Sequence, residues 1–310
     1  MERNCLNQIG VVFDFLEKDM GLLSSDDVHK QLKTVKTGFH DLDHQMSGLH
    51  RRGLTVLASR PGMGKSALAS QIAMHTAIDC HLATLIFSME LSIYHQAIRL
   101  ICQRGKIDAS RFQCGRLDTD EMRRLSETQD VIRKAPLFID DSPAMTMKRI
   151  HGRVEEFHFE NCYGTDKPFG LVVVDGLMDM APIYAPDAPN KAWDKVMSGL
   201  RELANEFDVP VVVLSNLSRK LEERKDKRPR PSDLPSPPIL SYADQIMLLY
   251  REDYYQPDTT EKGIAELHVF RNRYGHCGGI RLNFIHEYMR YEDWPSPTIA
   301  NEEAQQEATE

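Results

Sequence analysis

The sequence lacks the features that place a protein in a membrane or in an oxidising compartment. No apolar run approaches the roughly 18 residues of a membrane-spanning helix. The first ten residues, MERNCLNQIG, lack the basic-then-apolar order of a secretory leader. The six cysteines are scattered without a C-x-x-C pair, which argues against a metal site or a disulfide framework. We therefore expect reduced thiols in a cytoplasmic protein with no membrane partner.

Strong positive charge is also missing. The net charge of −8 argues against a uniformly basic coat for nucleic acid, although it leaves room for a local basic channel. What the chain does contain is ordinary for a globular protein, with 41% hydrophobic and 27% charged residues. The 310 residues allow one large domain or two small ones, and no internal repeat is visible.

The clearest chemical signal lies between Gly53 and Thr76. This stretch predicts a buried strand over Leu54–Ala58, a glycine turn and then a helix. The turn ends a phosphate-binding loop of the form G-x-x-x-x-G-K-[ST], except that Ser59 occupies the position of the first glycine. The predicted nucleotide-binding residues are Ser59, Arg60, Pro61, Gly62, Met63, Gly64, Lys65 and Ser66.

Each residue type in this loop has a physical role in binding phosphate. Backbone N–H groups converge on phosphate oxygens, and the helix dipole favours their negative charge. Gly62 and Gly64 permit the sharp turn. Lys65 can reach β- and γ-phosphates, and the Ser66 hydroxyl can ligate Mg²⁺. An ordinary glycine turn before a core helix is the alternative, but the strand–turn–helix context favours a nucleotide site.

Polar residues end the strands that follow. The strand predicted over Ala83–Phe87 leads to Glu90, which is placed to act as a general base on water attacking a γ-phosphate. A glutamate capping the helix near Ser92 is the alternative. The apolar strand Phe169–Asp175 has a Walker B layout, in which Asp175 organises Mg²⁺, although apolar strands ending in aspartate also occur by chance.

The second half of the chain adds a sensor candidate and a hairpin. A strand over Val209–Leu214 precedes Asn216, a candidate sensor of the γ-phosphate or its water. The tract Arg219–Arg230 holds seven basic and three acidic residues and is interpreted as a solvated charged loop, which continues through the prolines at Pro229–Pro238. A closing hairpin is expected within Ala265–Ile285.

This order of elements predicts an α/β fold with a mostly parallel central sheet, helices on both faces and a C-terminal β-hairpin. Residues 1–35 are expected to be a linker helix and a linker. The apolar helix Ile9–Met20 packs either on its own domain or on a neighbouring subunit. Residues 36–293 form the predicted catalytic domain, and 294–310 an acidic, disordered tail.

Several stretches occur together in one order, namely TGFHDLD, SRPGMGKSALA, LIFSMELS, LVVVDGLMDM, YADQIMLLYREDYY and FRNRYGHCGG. As a set, they resemble the C-terminal motor domain of DnaB-type replicative DNA helicases over residues 30–292. The resemblance implies a RecA-like P-loop NTPase that uses ATP and Mg²⁺ and unwinds DNA with 5′-to-3′ polarity. It also implies single-stranded DNA as a ligand and a homo-oligomeric ring, expected to be a hexamer. A helicase loader and a primase are further candidate partners.

The resemblance also assigns roles to residues that the pattern alone leaves unexplained. Arg99 matches an arginine near the phosphates, and Asn216 stands where the family usually has glutamine. Arg271 matches a family lysine, and Arg273 matches an arginine finger that reaches the ATP of the next subunit. The catalytic set that the resemblance implies is Lys65, Glu90, Arg99, Asn216, Arg271 and Arg273.

Two departures from the family keep a second function open. We expect the family's usual N-terminal helical domain to be absent, and Pro235–Pro238 replaces a loop that contacts DNA phosphates in the family. Proline has no N–H to offer a phosphate. The candidate DNA contacts are therefore Lys191 or Lys195, which belong to a second loop that is expected to face the DNA in the centre of the ring. The alternative function is a RecA-like loading or regulatory factor, which binds ATP and joins a helicase ring without translocating. A strand-exchange recombinase shares the core fold but fits the motif order poorly.

Overall fold

The computed structural model describes residues 34–143, 145–164, 169–178, 180 and 189–295. The predicted helix Ile9–Met20 and almost all of the predicted acidic tail lie outside these residues. Within the described part of the chain, no helix is both long and apolar enough to cross a lipid bilayer.

Strands and helices alternate through most of the chain. The strands are β1 (Thr34–Val35), β2 (Leu49–His50), β3 (Leu54–Ser59), β4 (Ala83–Ser88), β5 (Leu137–Asp140), β6 (Phe169–Asp175), β7 (Val211–Asn216), β8 (Gln245–Arg251), β9 (Ile264–Asn272), β10 (Gly278–Ile285) and β11 (Arg290–Asp293). The helices are α1 (His40–Met46), α2 (Lys65–Met74), α3 (Ile93–Gly105), α4 (Ala109–Gln113), α5 (Thr119–Lys134), α6 (Met147–Asn161), α7 (Pro189–Glu206), α8 (Pro237–Tyr242) and α9 (Glu252–Tyr255). A π-helical turn extends α2 through His75–Asp79.

One nine-stranded sheet organises the described residues, in the order β11-β10-β9-β8-β3-β7-β6-β4-β5. The strands from β8 to β5 in this order are all parallel, whereas β9, β10 and β11 add on in antiparallel pairs. The parallel strands are near-continuous apolar runs because helices cover both of their faces. Strand β3, which carries the glycine loop at its end, lies between β8 and β7 within the parallel part.

Alternate side chains of β3 point into two hydrophobic cores. Leu54, Val56 and Ala58 pack with residues of α6 and α7 on one face. Leu57 packs with residues of α1 and α2 on the other face. Burial on both faces fixes the register of the strand, so the loop that follows Ser59 leaves the sheet at a defined point.

The structure differs from the sequence prediction in the last third of the chain. A third strand, β11, extends the expected hairpin and pairs with β10 from Ile285 and Arg290 onward. The stretch predicted as a proline-rich loop contains the start of α8 at Pro237. Proline is tolerated in the first turn of a helix because the N–H that it lacks would be unpaired there.

The tract Arg219–Arg230 is exposed over much of its length but is not a free loop. A 3₁₀ turn begins it at Arg219. Arg224 forms an ion pair with Asp233 at 2.8 Å, and Arg228 forms one with Glu266 at 2.7 Å. The tract thus folds back on its own domain and uses two of its basic residues internally.

Candidate active site

The glycine loop between β3 and α2 presents an open helix N-terminus. Gly62 and Gly64 have φ of +83° and +96°, a region that other residues rarely adopt. Gly64 occupies the N-cap of α2 and offers no side chain to the first N–H groups of the helix. These N–H groups, together with the positive end of the helix dipole, form an anion-binding site.

Three of the predicted loop residues turn their side chains away from this site. The Ser59 hydroxyl donates to the carbonyl of Arg60 at 2.9 Å. The Arg60 guanidinium is held by Glu222 at 2.7 Å and by the carbonyl of Leu217 at 2.8 Å. The Met63 side chain is buried in the core beside α2. In this arrangement, these three residues offer a nucleotide their backbone rather than their side chains.

A cleft of about 540 Å³ opens at the mouth of the loop. Its lining is Pro61, Gly62, Gly64, Lys65, Ser66, Ala67, Glu90, Arg99, Met178, Asn216, Phe284 and Met289. Within it, Lys65 Nζ lies 3.9 Å from Glu90 Oε2. Lys65 is largely buried, whereas the Glu90 side chain is 37% exposed. A carboxylate that is open to solvent beside a lysine at the start of helix α2 can take a proton from water.

Polar strand ends meet behind this cleft because the parallel strands are in register. Ser59 is the register partner of Asn216, and Ser88 is the partner of Asp175. Asp175 is only 2% exposed. Its Oδ1, like Oδ1 of Asn216, is buried without a hydrogen-bond partner among the described residues. A buried carboxylate oxygen is costly unless it is paired or binds a metal, so the Asp175 carboxylate fits a Mg²⁺ ligand, and the Ser66 hydroxyl in the cleft offers a second oxygen.

Arg99 brings a positive charge from α3 to the same cleft. Burial lowers the pKa of its guanidinium, and the carboxylates of Asp175 and Glu90 oppose that shift. Its Nη1 donates to Gln96 Oε1 at 3.4 Å, and Gln96 donates in turn to the Ser88 hydroxyl at 3.0 Å. Because arginine stays protonated in proteins, Arg99 adds a second positive charge to the lining of the cleft, beside that of Lys65.

Two residues that the sequence interpretation missed hold the loop in place. Tyr291 on β11 is fully buried, and its hydroxyl donates to the carbonyl of Met63 at 2.9 Å. The backbone of Tyr291 pairs with the Gln71 side chain on α2, through contacts of 2.6 and 2.9 Å. A Cβ on Gly64 would lie 2.3 Å from the Tyr291 hydroxyl, so only glycine fits there. No local motif marks the pairing of Gln71 with Tyr291, because these two residues lie 220 positions apart in the sequence.

The arginine pair, Arg271 and Arg273, lies at the other end of the sheet. Arg271 lies near the end of β9, and Arg273 directly follows this strand. Strand β9 runs antiparallel to β8, so that Asn272 at the end of β9 faces Gln245 at the start of β8. The glycine loop instead follows the carboxyl end of the parallel strand β3. Six residues of strand, about 20 Å, separate the two edges. The structure therefore does not bring the arginine pair to the cleft of its own chain.

The two candidate DNA contacts, Lys191 and Lys195, are both exposed and lie in the first two turns of α7 rather than in a loop. The neighbouring Asn190 accepts a hydrogen bond from the Ser236 hydroxyl at 3.0 Å. This contact places the start of α7 beside the proline-rich segment before α8.

The sheet, the glycine loop and the acidic strand ends together define a P-loop NTPase of the RecA-like class. Residues 34–293 match the model of the DnaB-like helicase C-terminal domain family, and the chain belongs to that family. Both the predicted resemblance and the predicted fold class are thereby confirmed.

Two relatives support the same assignment. The replicative DNA helicase DnaB of Geobacillus stearothermophilus is 32% identical over 263 residues, which cover 84% of this chain and 57% of the relative. The DnaB helicase of Haemophilus influenzae is 33% identical over 291 residues, which cover 93% of this chain and 61% of the relative. The chain thus spans about three fifths of the length of these relatives.

Solved structures are also similar to this chain. One of them, an isolated ATPase domain, has a TM-score of 0.85 at 29% identity, and the match covers 93% of this chain and 99% of that domain. A DnaB-like replicative helicase, described with its interactions with primase, has a TM-score of 0.83 at 28% identity. That match covers 93% of this chain and 67% of the helicase.

Proposed function

We propose that the chain is an ATP-hydrolysing motor that assembles into a homo-oligomeric ring, binds single-stranded DNA and unwinds duplex DNA. The observation that carries the proposal is the placement of the arginine pair at the edge of the sheet opposite the nucleotide cleft. A ring places the opposite edges of successive subunits against each other. The arginine pair of one subunit then completes the cleft of the next.

Within the cleft, each residue has a separate task. The loop N–H groups and Lys65 bind the β- and γ-phosphates. Glu90 accepts a proton from the attacking water, and the Asn216 amide senses the γ-phosphate. Asp175 and Ser66 hold Mg²⁺, which neutralises phosphate charge when it is bound.

The arginine pair supplies charge stabilisation from outside the subunit. Phosphoryl transfer spreads negative charge over the transferred group, and a guanidinium placed there stabilises the transition state. If Arg273 acts on the neighbouring site, one Arg273→Ala subunit silences a site that is otherwise intact. Titrating a subunit that carries both Lys65→Ala and Arg273→Ala into the wild-type protein should therefore lower ATP hydrolysis with the square of the wild-type fraction, because each competent site then needs two wild-type subunits, one for the cleft and one for the arginine. A linear decrease would contradict action between subunits.

DNA contact is assigned to the region where the start of α7 meets the proline-rich segment. Lys191 and Lys195 are exposed there and can neutralise phosphates of a single strand. Contacts of this kind are independent of sequence and weaken with salt. A helicase loader and a primase are proposed as partners on the strength of the family alone, and co-elution with the purified ring tests both.

DNA-dependent ATP hydrolysis tests the motor function directly. Single-stranded DNA should raise the turnover of the purified chain, and the apparent affinity for DNA should fall steeply between about 50 and 200 mM salt, by about three hundredfold for six phosphate contacts. A Lys65→Ala variant, which loses phosphate binding but keeps the DNA surface, is the matched control. ATP hydrolysis that is indifferent to single-stranded DNA, together with no DNA binding, would refute the motor function.

A second function, that of an ATP-binding loading or regulatory factor, is favoured by one feature. Pro237 and Pro238 occupy the first turn of α8, so this helix N-terminus lacks two N–H donors for a DNA phosphate. Titration into an intact replicative helicase separates the two functions. Co-assembly or inhibition, without unwinding by this chain alone, would favour the factor over the motor.

A further inference from the structure

A buried carboxylate lies where three segments meet, at the edge of the sheet opposite the nucleotide cleft. Asp244 directly precedes β8 and is only 1% exposed. Its Oδ2 accepts the backbone N–H of Leu54 at 2.9 Å and a guanidinium N–H of Arg201 on α7. Because burying an unpaired carboxylate is costly, these partners are needed to keep the charge in place.

The second carboxylate oxygen of Asp244 faces the arginine pair. Asp244 Oδ1 lies 3.5 Å from Nη1 of Arg273 and accepts no hydrogen bond from any described residue. The main chain adds a firmer link, since the Arg273 N–H donates to the carbonyl of Asp244 at 3.0 Å. The Arg273 backbone is therefore fixed, whereas its partly exposed guanidinium is held by the longer contact to Asp244 and by one hydrogen bond to the Ser241 carbonyl at 3.1 Å. A guanidinium in this state can leave Asp244 at less cost than Arg201 can.

Both segments assigned to DNA are connected to this cluster. Arg201 is on the same helix as Lys191, about 15 Å further along its axis. On the other side, the carbonyls of Leu240 and Ser241, at the end of α8, accept hydrogen bonds from the arginine pair. Helix α8 begins in the proline-rich segment. In each case, one helix therefore connects the segment assigned to DNA with the cluster.

We propose that Asp244 is a positioning residue that couples the DNA-facing helices to the arginine pair, and so sets when Arg273 reaches the nucleotide of the neighbouring subunit. This inference rests on the proposed action of Arg273 between subunits. Arg201 ties the Asp244 carboxylate to α7, and the same carboxylate retains the Arg273 guanidinium. Movement of α7 on DNA then changes how firmly Arg273 is retained. Neither Asp244 nor Arg201 lines the cleft of its own chain.

Mixed assemblies of two inactive variants can isolate this effect. A Lys65→Ala subunit cannot use its own cleft but still offers Arg273, whereas an Arg273→Ala subunit has an intact cleft but no finger. Where the Arg273 of a Lys65→Ala subunit faces the cleft of an Arg273→Ala subunit, one competent site forms. We call the Lys65→Ala subunit the finger donor and the Arg273→Ala subunit the cleft donor. Asp244→Asn keeps the side-chain shape but removes the charge. It is introduced into either the finger donor or the cleft donor, and DNA-stimulated ATP hydrolysis is measured in each mixture.

The coupling role predicts an asymmetric result. In the finger donor, Asp244→Asn should lower kcat about tenfold or more and leave the KM for ATP unchanged, since a misplaced catalytic group costs rate rather than binding. In the cleft donor, the same change should alter kcat by less than about twofold. An equal loss in both mixtures, or a loss confined to the cleft donor, would overturn the inference. Asp244 would then support β3 and the glycine loop through Leu54.

A control variant, two variants of Arg201 and the parental mixture keep the result decisive. Asp233→Asn, which disrupts another buried aspartate–arginine pair, should affect both mixtures alike. If Asp244→Asn does not assemble, Arg201→Gln should give the same asymmetry and Arg201→Lys should restore part of the activity, while symmetric loss would again overturn the inference. Absence of activity in the parental mixture would refute action between subunits and, with it, the coupling. If the parental mixture hydrolyses ATP and Asp244→Asn lowers hydrolysis equally in both mixtures, only the coupling is refuted.

Discussion

The hydroxyl of Tyr291 is expected to pre-form the nucleotide site although Tyr291 does not line the cleft. Tyr291→Phe removes the 2.9 Å hydrogen bond to the Met63 carbonyl in a fully buried setting. Losing such a bond and leaving the carbonyl without that donor costs about 1 to 2 kcal/mol. For a domain of this size, that is a fall in melting temperature of about 3 to 6 °C. The glycine loop also loses its anchor and becomes less ordered before ATP binds.

This loss of order should appear in binding rather than in chemistry. Re-ordering one residue of backbone costs about 1 to 2 kcal/mol, which is a rise in the Kd for ATP of about five- to thirtyfold. Equilibrium binding of a fluorescent ATP analogue measures it, and kcat at saturating ATP should change little. Thr76→Val is the matched control, because it removes a buried hydroxyl-to-carbonyl hydrogen bond of 3.0 Å on the same helical segment, away from the loop. If both variants lose stability but neither loses affinity, the anchoring role of Tyr291 is wrong.

Three other changes test single parts of the cleft. Gly64→Ala should weaken ATP binding at least about tenfold, because its Cβ would lie 2.3 Å from the Tyr291 hydroxyl at a φ of +96°; unchanged binding by calorimetry would contradict this. Glu90→Gln should retain ATP binding but lower turnover by about a hundredfold or more, and near-normal steady-state hydrolysis would exclude Glu90 as the base. Asp175→Asn should raise the Mg²⁺ concentration for half-maximal hydrolysis at least about tenfold. A titration that matches the wild type would remove Asp175 from the metal site.

The parallel core can be predicted closely from the sequence. The strand Phe169–Asp175 is observed with the predicted bounds, because a strand buried on both faces is a continuous apolar run. The glycine loop is equally clear, since its residue types follow from backbone geometry and charge. The candidates Glu90, Asp175 and Asn216 can be placed at one edge because parallel strands end together.

Contacts between distant parts of the chain cannot be predicted in this way. Tyr291 supports the glycine loop only because β11 folds back beside α2, and no residue near Tyr291 indicates this. In the sequence, Asp244 is a polar residue before an apolar strand, yet it joins α7, β3 and the arginine pair. The prolines predict a loop, although they begin α8, because a helix N-terminus and a loop accept proline for the same reason.

The central claim is that each active site is divided between two subunits. It is tested most directly by ATP hydrolysis per subunit of the wild-type chain over a range of protein concentrations, with particle mass measured in the same samples in the presence of nucleotide and single-stranded DNA. We expect turnover per subunit to be very low where single chains dominate and to rise in step with the assembled fraction. Constant turnover per subunit, from single chains to assembled particles, would show that the cleft is complete without the arginine pair of a neighbour.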